Sequence, residues 1–166
     1  MSKCWYGMLM VCALFVAAAQ LPAVAEEAGC GAVPDRSEEA ALRQVFVDSI
    51  TAGVIKGLQV TGKEVPPERQ AKLRAIADES FSKILARVKA AGHYEDYRKQ
   101  MFDPEIRQLD KKVLEAKTAQ EILPIAQQQV KIFSEKYPEL FRFISSDQEM
   151  QAATMEMMQK LFEVCK

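Results

Sequence analysis

The side chains best suited to chemistry in this sequence contain sulfur and lie near its C-terminus. Met150, Met155, Met157 and Met158 follow one another closely, and Cys165 comes after them. Thioether and thiolate sulfur atoms are soft ligands that select Cu(I), so this segment allows a copper site with Met150, Met157 and Met158 as ligands. Methionine at helical spacing also fills the cores of helical proteins without any metal. Core packing is therefore the first interpretation, and a soft-metal site is the alternative.

The cysteines predict one disulfide. Cys4 and Cys12 lie in an N-terminal segment that resembles a cleaved leader, which leaves Cys30 and Cys165 in the mature chain. In an oxidising compartment these two would pair, and the long loop would restrict the unfolded state by about 4 to 5 kcal/mol. A reactive or metal-binding thiol at Cys165 is one alternative. Lipidation of Cys30 is another, although the acidic Glu27 stands where lipoproteins have an aliphatic residue.

Few residues could support catalysis. The chain has one histidine, His93, so a two-histidine zinc site and a haem attachment motif are absent. No glycine-rich phosphate loop and no GxSxG motif occurs. His93 precedes Glu95 and Asp96, which allows a base oriented by a carboxylate, but a histidine near a helix end explains the same residues. We expect a protein that is not an enzyme and that carries no cofactor.

Aromatic side chains are the candidate binding residues. Phe133, Tyr137, Phe141 and Phe143 lie close together in the sequence. Together with methionine, such side chains line grooves that accept an apolar helix or peptide. Large apolar side chains are also most often buried, so the alternative is that these four close the core of the fold.

The charge balance argues against nucleic acid as a partner. Lys plus Arg total 22 and Asp plus Glu total 23, which gives a formal net charge of −1. The basic pairs Arg98-Lys99 and Lys111-Lys112 have acidic residues nearby and form no basic stripe. Phosphate recognition requires such a positive surface. We therefore expect no nucleic-acid partner.

The N-terminal sequence predicts export. Lys3 precedes the apolar run 8–19, and Ala23-Val24-Ala25 matches the small-x-small cleavage pattern. The run is shorter than the ~20 residues that span a bilayer. We expect residues 1–25 to be a cleaved signal peptide, the mature protein to be periplasmic or secreted, and no membrane span to remain after cleavage. Residues 26–36, rich in Gly, Pro and acidic residues, predict an irregular arm.

Residues 37–166 show the periodicity of amphipathic helices and no sustained strand alternation. Asp103-Pro104 indicates one helix start, and capping patterns at 118–121 and 146–149 indicate two more. The last helix has a predicted core stripe of Met150, Ala153, Met157, Leu161 and Val164. The sequence predicts an all-α, single-domain bundle of about five or six helices joined by short loops.

Export, amphipathic helices and the lack of catalytic motifs favour one class of function. We expect a protein that binds an unidentified protein or peptide, as an interaction, inhibitor or chaperone-like module. The alternative is a periplasmic copper-binding protein that uses the C-terminal methionines. No motif in the chain identifies a family.

Overall fold

A computed structural model describes residues 36–166, and this part of the chain is all α-helical. Its seven helices are α1 Arg36–Gln59, α2 Pro67–Ala90, α3 Tyr94–Phe102, α4 Pro104–Glu115, α5 Ala119–Lys136, α6 Pro138–Ser146 and α7 Gln148–Cys165. The all-α class is confirmed, whereas the predicted count of five or six helices is too low. The predicted signal peptide lies outside the described residues, as does the predicted arm except for Arg36, which belongs to α1.

The helix that the sequence analysis did not count is α6. Pro138 lies in its first turn, and the preceding Tyr137 leaves helical geometry with φ −129° and ψ 56°. Proline has no N–H to continue the hydrogen bonds of α5, but its fixed φ suits the start of a new helix. The resulting helix has 9 residues. That length is about two and a half turns, so the apolar pattern, although clear, does not distinguish a separate helix from a short connecting segment.

Helix α2 lies at the centre of the fold, with α1 and α7 packed against it. Phe81 of α2 contacts Phe46 of α1 with ring centroids 5.4 Å apart, and both side chains are buried. Burial of one such side chain contributes roughly 1.5–3 kcal/mol. Lys89, near the end of α2, pairs with Glu39, near the start of α1, at 2.6 Å. The two helices are therefore antiparallel.

Helices α4 and α5 form an antiparallel pair with a small apolar cluster of their own. Val113, Ala116 and Ile122 are buried there. Beside this cluster, the side-chain amide Nε2 of Gln129 donates to Oδ1 of Asp110 at 2.6 Å, and both side chains are buried. Such a hydrogen bond offsets part of the cost of removing two polar groups from water.

Asp103 joins the start of α4 to the end of α5. Its Oδ1 accepts from the backbone N–H groups of Glu105 and Ile106, and its Oδ2 accepts from Lys136 Nζ at 3.1 Å and from the Tyr137 hydroxyl at 3.0 Å. Burial raises the pKa of Asp103, but these hydrogen bonds outweigh burial, and the net effect is a lowered pKa. The predicted cap at Asp103-Pro104 is confirmed.

Two glycines end the long helices. The sequence predicts helix ends near Gly62 and at Gly92, and both residues have positive φ, 78° and 77°. Glycine adopts this left-handed region at little cost, which allows the chain to turn after α1 and after α2.

Among the helices of residues 36–166, none combines the length and the apolar content that a membrane crossing requires.

Candidate protein-binding surface

The position of α7 is set first at its N-terminus. The Asp147 carboxylate caps the helix by accepting from the Met150 N–H at 2.9 Å, and it also accepts from Nε of Arg87 on α2 at 2.9 Å. The hydrogen bond from Arg87, followed by the one from Met150, lowers the pKa of Asp147 to about 2. One carboxylate therefore holds the start of α7 on the central helix.

Ion pairs continue this attachment along α7. Lys83 of α2 contacts Glu156 at 2.8 Å, and Lys160 contacts Glu79 of α2 at 2.9 Å. The hydrogen bond from Lys83, with a further one from Lys160, lowers the pKa of Glu156. Glu156 and Lys160 are four residues apart on one side of α7, so both ion pairs attach that side of the helix to α2.

The inward face is apolar and buried. Met150, Met157 and Leu161 belong to the main core, and Met157 is 1% exposed. These are three residues of the predicted core stripe, and the other two, Ala153 and Val164, are half-buried against the same core. Methionine fills irregular space between helices well because it is flexible and polarizable. Two of the three methionines suggested as copper ligands are thus packing residues of the bundle.

The outward face carries a second apolar stripe. Met155 is 51% exposed and Phe162 is 46% exposed, while Met158 and Cys165 are half-buried, and Cys165 also packs against the main core. Residues at this spacing share one side of a helix. We call Met155, Met158, Phe162 and Cys165 the α7 outer stripe. Burial raises the pKa of the Cys165 thiol, and the nearby Arg69 and Lys63 oppose that effect.

The aromatic residues predicted to line a groove lie in or against the main core. Phe133 is buried, with Phe141 edge-on at 5.5 Å and Tyr137 at 6.3 Å between ring centroids. Phe143 instead contacts the ring of His93 at 4.9 Å and lies under the guanidinium of Arg87 at 6.0 Å. The structure brings the first three together and places the fourth in a different set of contacts.

The remaining candidates for metal or thiol chemistry are dispersed. Among residues 36–166, no three His, Cys, Asp or Glu side chains are grouped to hold a metal ion. His93 lies directly before α3 and stacks on Phe143, while Met158 is half-buried on α7. Cys165 has no disulfide partner among the residues that the structure describes. Cys30 lies outside the described residues, so its pairing with Cys165 and its lipidation stay predictions.

A shallow, open groove of about 470 Å³ lies between α1 and α2. Ion pairs from Arg43 to Asp78 and from Arg74 to Asp48 cross or border it, at 2.8 and 2.6 Å. Ligand pockets are usually enclosed and apolar, with a few convergent polar groups. The side chains in this groove already satisfy one another, so the α7 outer stripe is the better candidate surface.

The sequence analysis did not select Phe162. The spacing of Met155, Met158 and Phe162 was the available signal, because it forms a second helical stripe beside the one assigned to the core. Two stripes on one helix do not reveal which of them faces solvent.

Comparison of the chain with family models, with curated proteins and with solved structures found no match. The functional argument therefore depends on the geometry of this surface.

Proposed function

We propose that this chain is an exported, non-catalytic helical protein that binds a protein or peptide through the α7 outer stripe. The supporting observation is the exposure of Met155 and Phe162 on either side of the half-buried Met158. Two large apolar side chains exposed on the same side of one helix offer a partner an apolar surface. Methionine and aromatic side chains adapt to an apolar partner with little loss of contact.

The stripe suits an amphipathic helix or an extended apolar peptide. Met155 and Phe162 lie about 10 Å apart along the helix axis, which is the spacing of apolar residues two turns apart, at i and i+7, on a partner helix. Glu156 and Lys160 lie on the other side of α7, where they pair with each other at 3.0 Å. The exposed neighbours of the stripe include the uncharged Gln151 and Gln159, so we expect recognition by apolar contact and little selection for partner charge.

The N-terminal sequence supports export of this protein. Lys3, the apolar run 8–19 and Ala23-Val24-Ala25 favour delivery to the periplasm or the exterior. In such a compartment the pairing of Cys30 with Cys165 is the expected state of the two mature cysteines. The absence of catalytic motifs in the sequence supports binding over turnover.

Photo-crosslinking in the exported fraction tests this proposal. A photoreactive residue replaces Gln159, which is exposed beside the stripe, or Lys111 on α4 as the positional control. We expect one dominant adduct at position 159, identified by mass spectrometry, and none of it at position 111. Phe162→Ser should abolish the adduct because it removes the largest exposed contact.

Phe102→Ser is the matched control, since Phe102 is 38% exposed at the end of α3. This variant should keep the adduct, and both variants should unfold at the temperature of the unmodified chain. An adduct that survives Phe162→Ser, or that forms equally from position 111, would contradict the proposal.

A further inference from the structure

The five methionines of residues 36–166 differ sharply in their access to solvent. Met150 is 0% exposed, Met157 is 1% exposed and Met101 on α3 is 6% exposed. Met158 is half-buried, whereas Met155 is 51% exposed. Oxidation of a thioether requires that the oxidant reach the sulfur atom. Met155 is therefore the methionine of this part of the chain that a dissolved oxidant reaches most easily.

The neighbours of Met155 on α7 leave its thioether uncovered. The residues three and four positions away, which surround a side chain on a helix, are Gln151, Ala152, Met158 and Gln159. Helical side chains lean toward the N-terminus, so the Met155 side chain extends over Ala152, whose methyl group is too small to shield it. None of these four neighbours carries a charge that would exclude a neutral oxidant such as a peroxide.

We propose that Met155 is an oxidation site, and that its conversion to methionine sulfoxide releases the partner of the α7 outer stripe. This inference rests on the proposed function and adds its regulation. Hydrogen peroxide is the oxidant: its O–O bond breaks, one oxygen atom bonds to the Met155 sulfur, which loses two electrons, and the other leaves as water. The sulfoxide is polar, and an apolar partner offers its oxygen no hydrogen-bond donor, so the complex is weakened.

The fold does not depend on the Met155 side chain. Met150 and Met157 pack in the main core with Leu161, whereas Met155 lies outside it. A polar change at an exposed position leaves stability almost unaltered. Oxidation of Met155 therefore changes the binding surface while the bundle stays folded. The change is also reversible, because methionine sulfoxide reductases restore the thioether.

Peptide mass spectrometry of the mature chain tests the site itself. The folded chain is treated with hydrogen peroxide until about one oxygen atom per molecule has been added to methionine, and each methionine is then quantified after digestion. We expect Met155 to be oxidised about tenfold faster than Met150 or Met157 in the folded chain, and at a similar rate to them in urea. Equal rates in the folded chain, or faster oxidation of another methionine, would overturn the inference.

Photo-crosslinking from Gln159 tests the effect on binding. The purified chain is oxidised, freed of peroxide and added to the exported fraction. We expect a severalfold loss of the adduct, an unchanged unfolding temperature, and recovery of the adduct after treatment with both methionine sulfoxide reductases. An adduct yield that does not fall when Met155 is oxidised would overturn the inference and leave the proposed function standing.

Met155→Leu is the matched control, because leucine has a similar volume and peroxide does not oxidise it. Each chain is compared with its own yield before treatment, and the yield of Met155→Leu should not fall after peroxide. An equal fall in both chains would assign the loss to another residue and overturn the inference. Absence of any adduct from the untreated, unmodified chain would contradict the proposed function itself, so the two failures are distinguishable.

Discussion

Arg87 and Asp147 connect the central helix to the start of the last helix. Nε of Arg87 donates to Oδ1 of Asp147 at 2.9 Å, and the same carboxylate caps α7. Arg87 also contacts Glu149 at 3.1 Å and lies over the ring of Phe143 at 6.0 Å. Protonation of Asp147 therefore weakens a contact that holds the start of α7 on the central helix.

The first prediction concerns acid stability. The folded pKa of Asp147 is about 2, below its ordinary value of 3.8. A carboxyl group with a lowered folded pKa stabilises the protein above about pH 4, and this stabilisation is lost as the pH falls from about 4 to 2. Urea unfolding at several pH values should show Asp147→Asn less stable than the unmodified chain at pH 7, with the difference shrinking below pH 4. A difference that is constant from pH 7 to pH 2 would contradict the assignment.

The second prediction concerns Asp103. Asp103→Ala removes the α4 cap and the acceptor for Lys136 and Tyr137, and we expect it to lower the free energy of unfolding by about 2 kcal/mol. Asp103→Asn is the matched control, because asparagine also caps helices and loses only the charge. It should cost about half as much. If both variants lost the same free energy of unfolding, helix capping would not be the dominant contribution of Asp103 to stability.

The third prediction compares the two faces of α7. Met157→Ala should lower the free energy of unfolding by about 2–5 kcal/mol, because it leaves a cavity in the core. Met155→Ala should change it by less than about 0.5 kcal/mol, since Met155 is largely exposed. Denaturant unfolding of both variants measures the two changes in the free energy of unfolding. Similar values for the two would mean that the described orientation of α7 is wrong.

The fourth prediction addresses the copper alternative. Met150 and Met157 are buried in the main core, so metal binding by them would require the bundle to open. We expect a Cu(I) titration of the Met157→Leu, Met158→Leu double variant to match that of the unmodified chain within twofold, since leucine preserves the packing volume. Copper affinity that falls strongly in the double variant would instead support the soft-metal function.

Local chemistry made much of the helical architecture predictable. Asp103-Pro104, the Thr118 cap and the glycine after α2 were read from the sequence because each acts on its own few neighbours. The predicted cap for the last helix was close, since the observed cap is Asp147, one residue after Ser146. Helix α6 was not counted because it has only 9 residues, and so short an apolar segment after a proline does not reveal whether it forms a separate helix.

The candidate surface was less predictable. The sequence analysis selected Phe133, Tyr137, Phe141 and Phe143, which lie in or against the core, and did not select Phe162. An aromatic side chain has the same apolar character in a core and on a binding surface. Its sequence position therefore says little about which role it has.

The sequence by itself determined that residues 37–166 are helical, where most helices begin, and that Met150, Met157 and Leu161 share one face. These properties depend on neighbours within a few turns. The tertiary structure alone decided that this face packs inward and that Met155 and Phe162 remain exposed. The reason is that burial depends on how separate helices pack, through contacts such as Arg87 with Asp147, which no local pattern encodes.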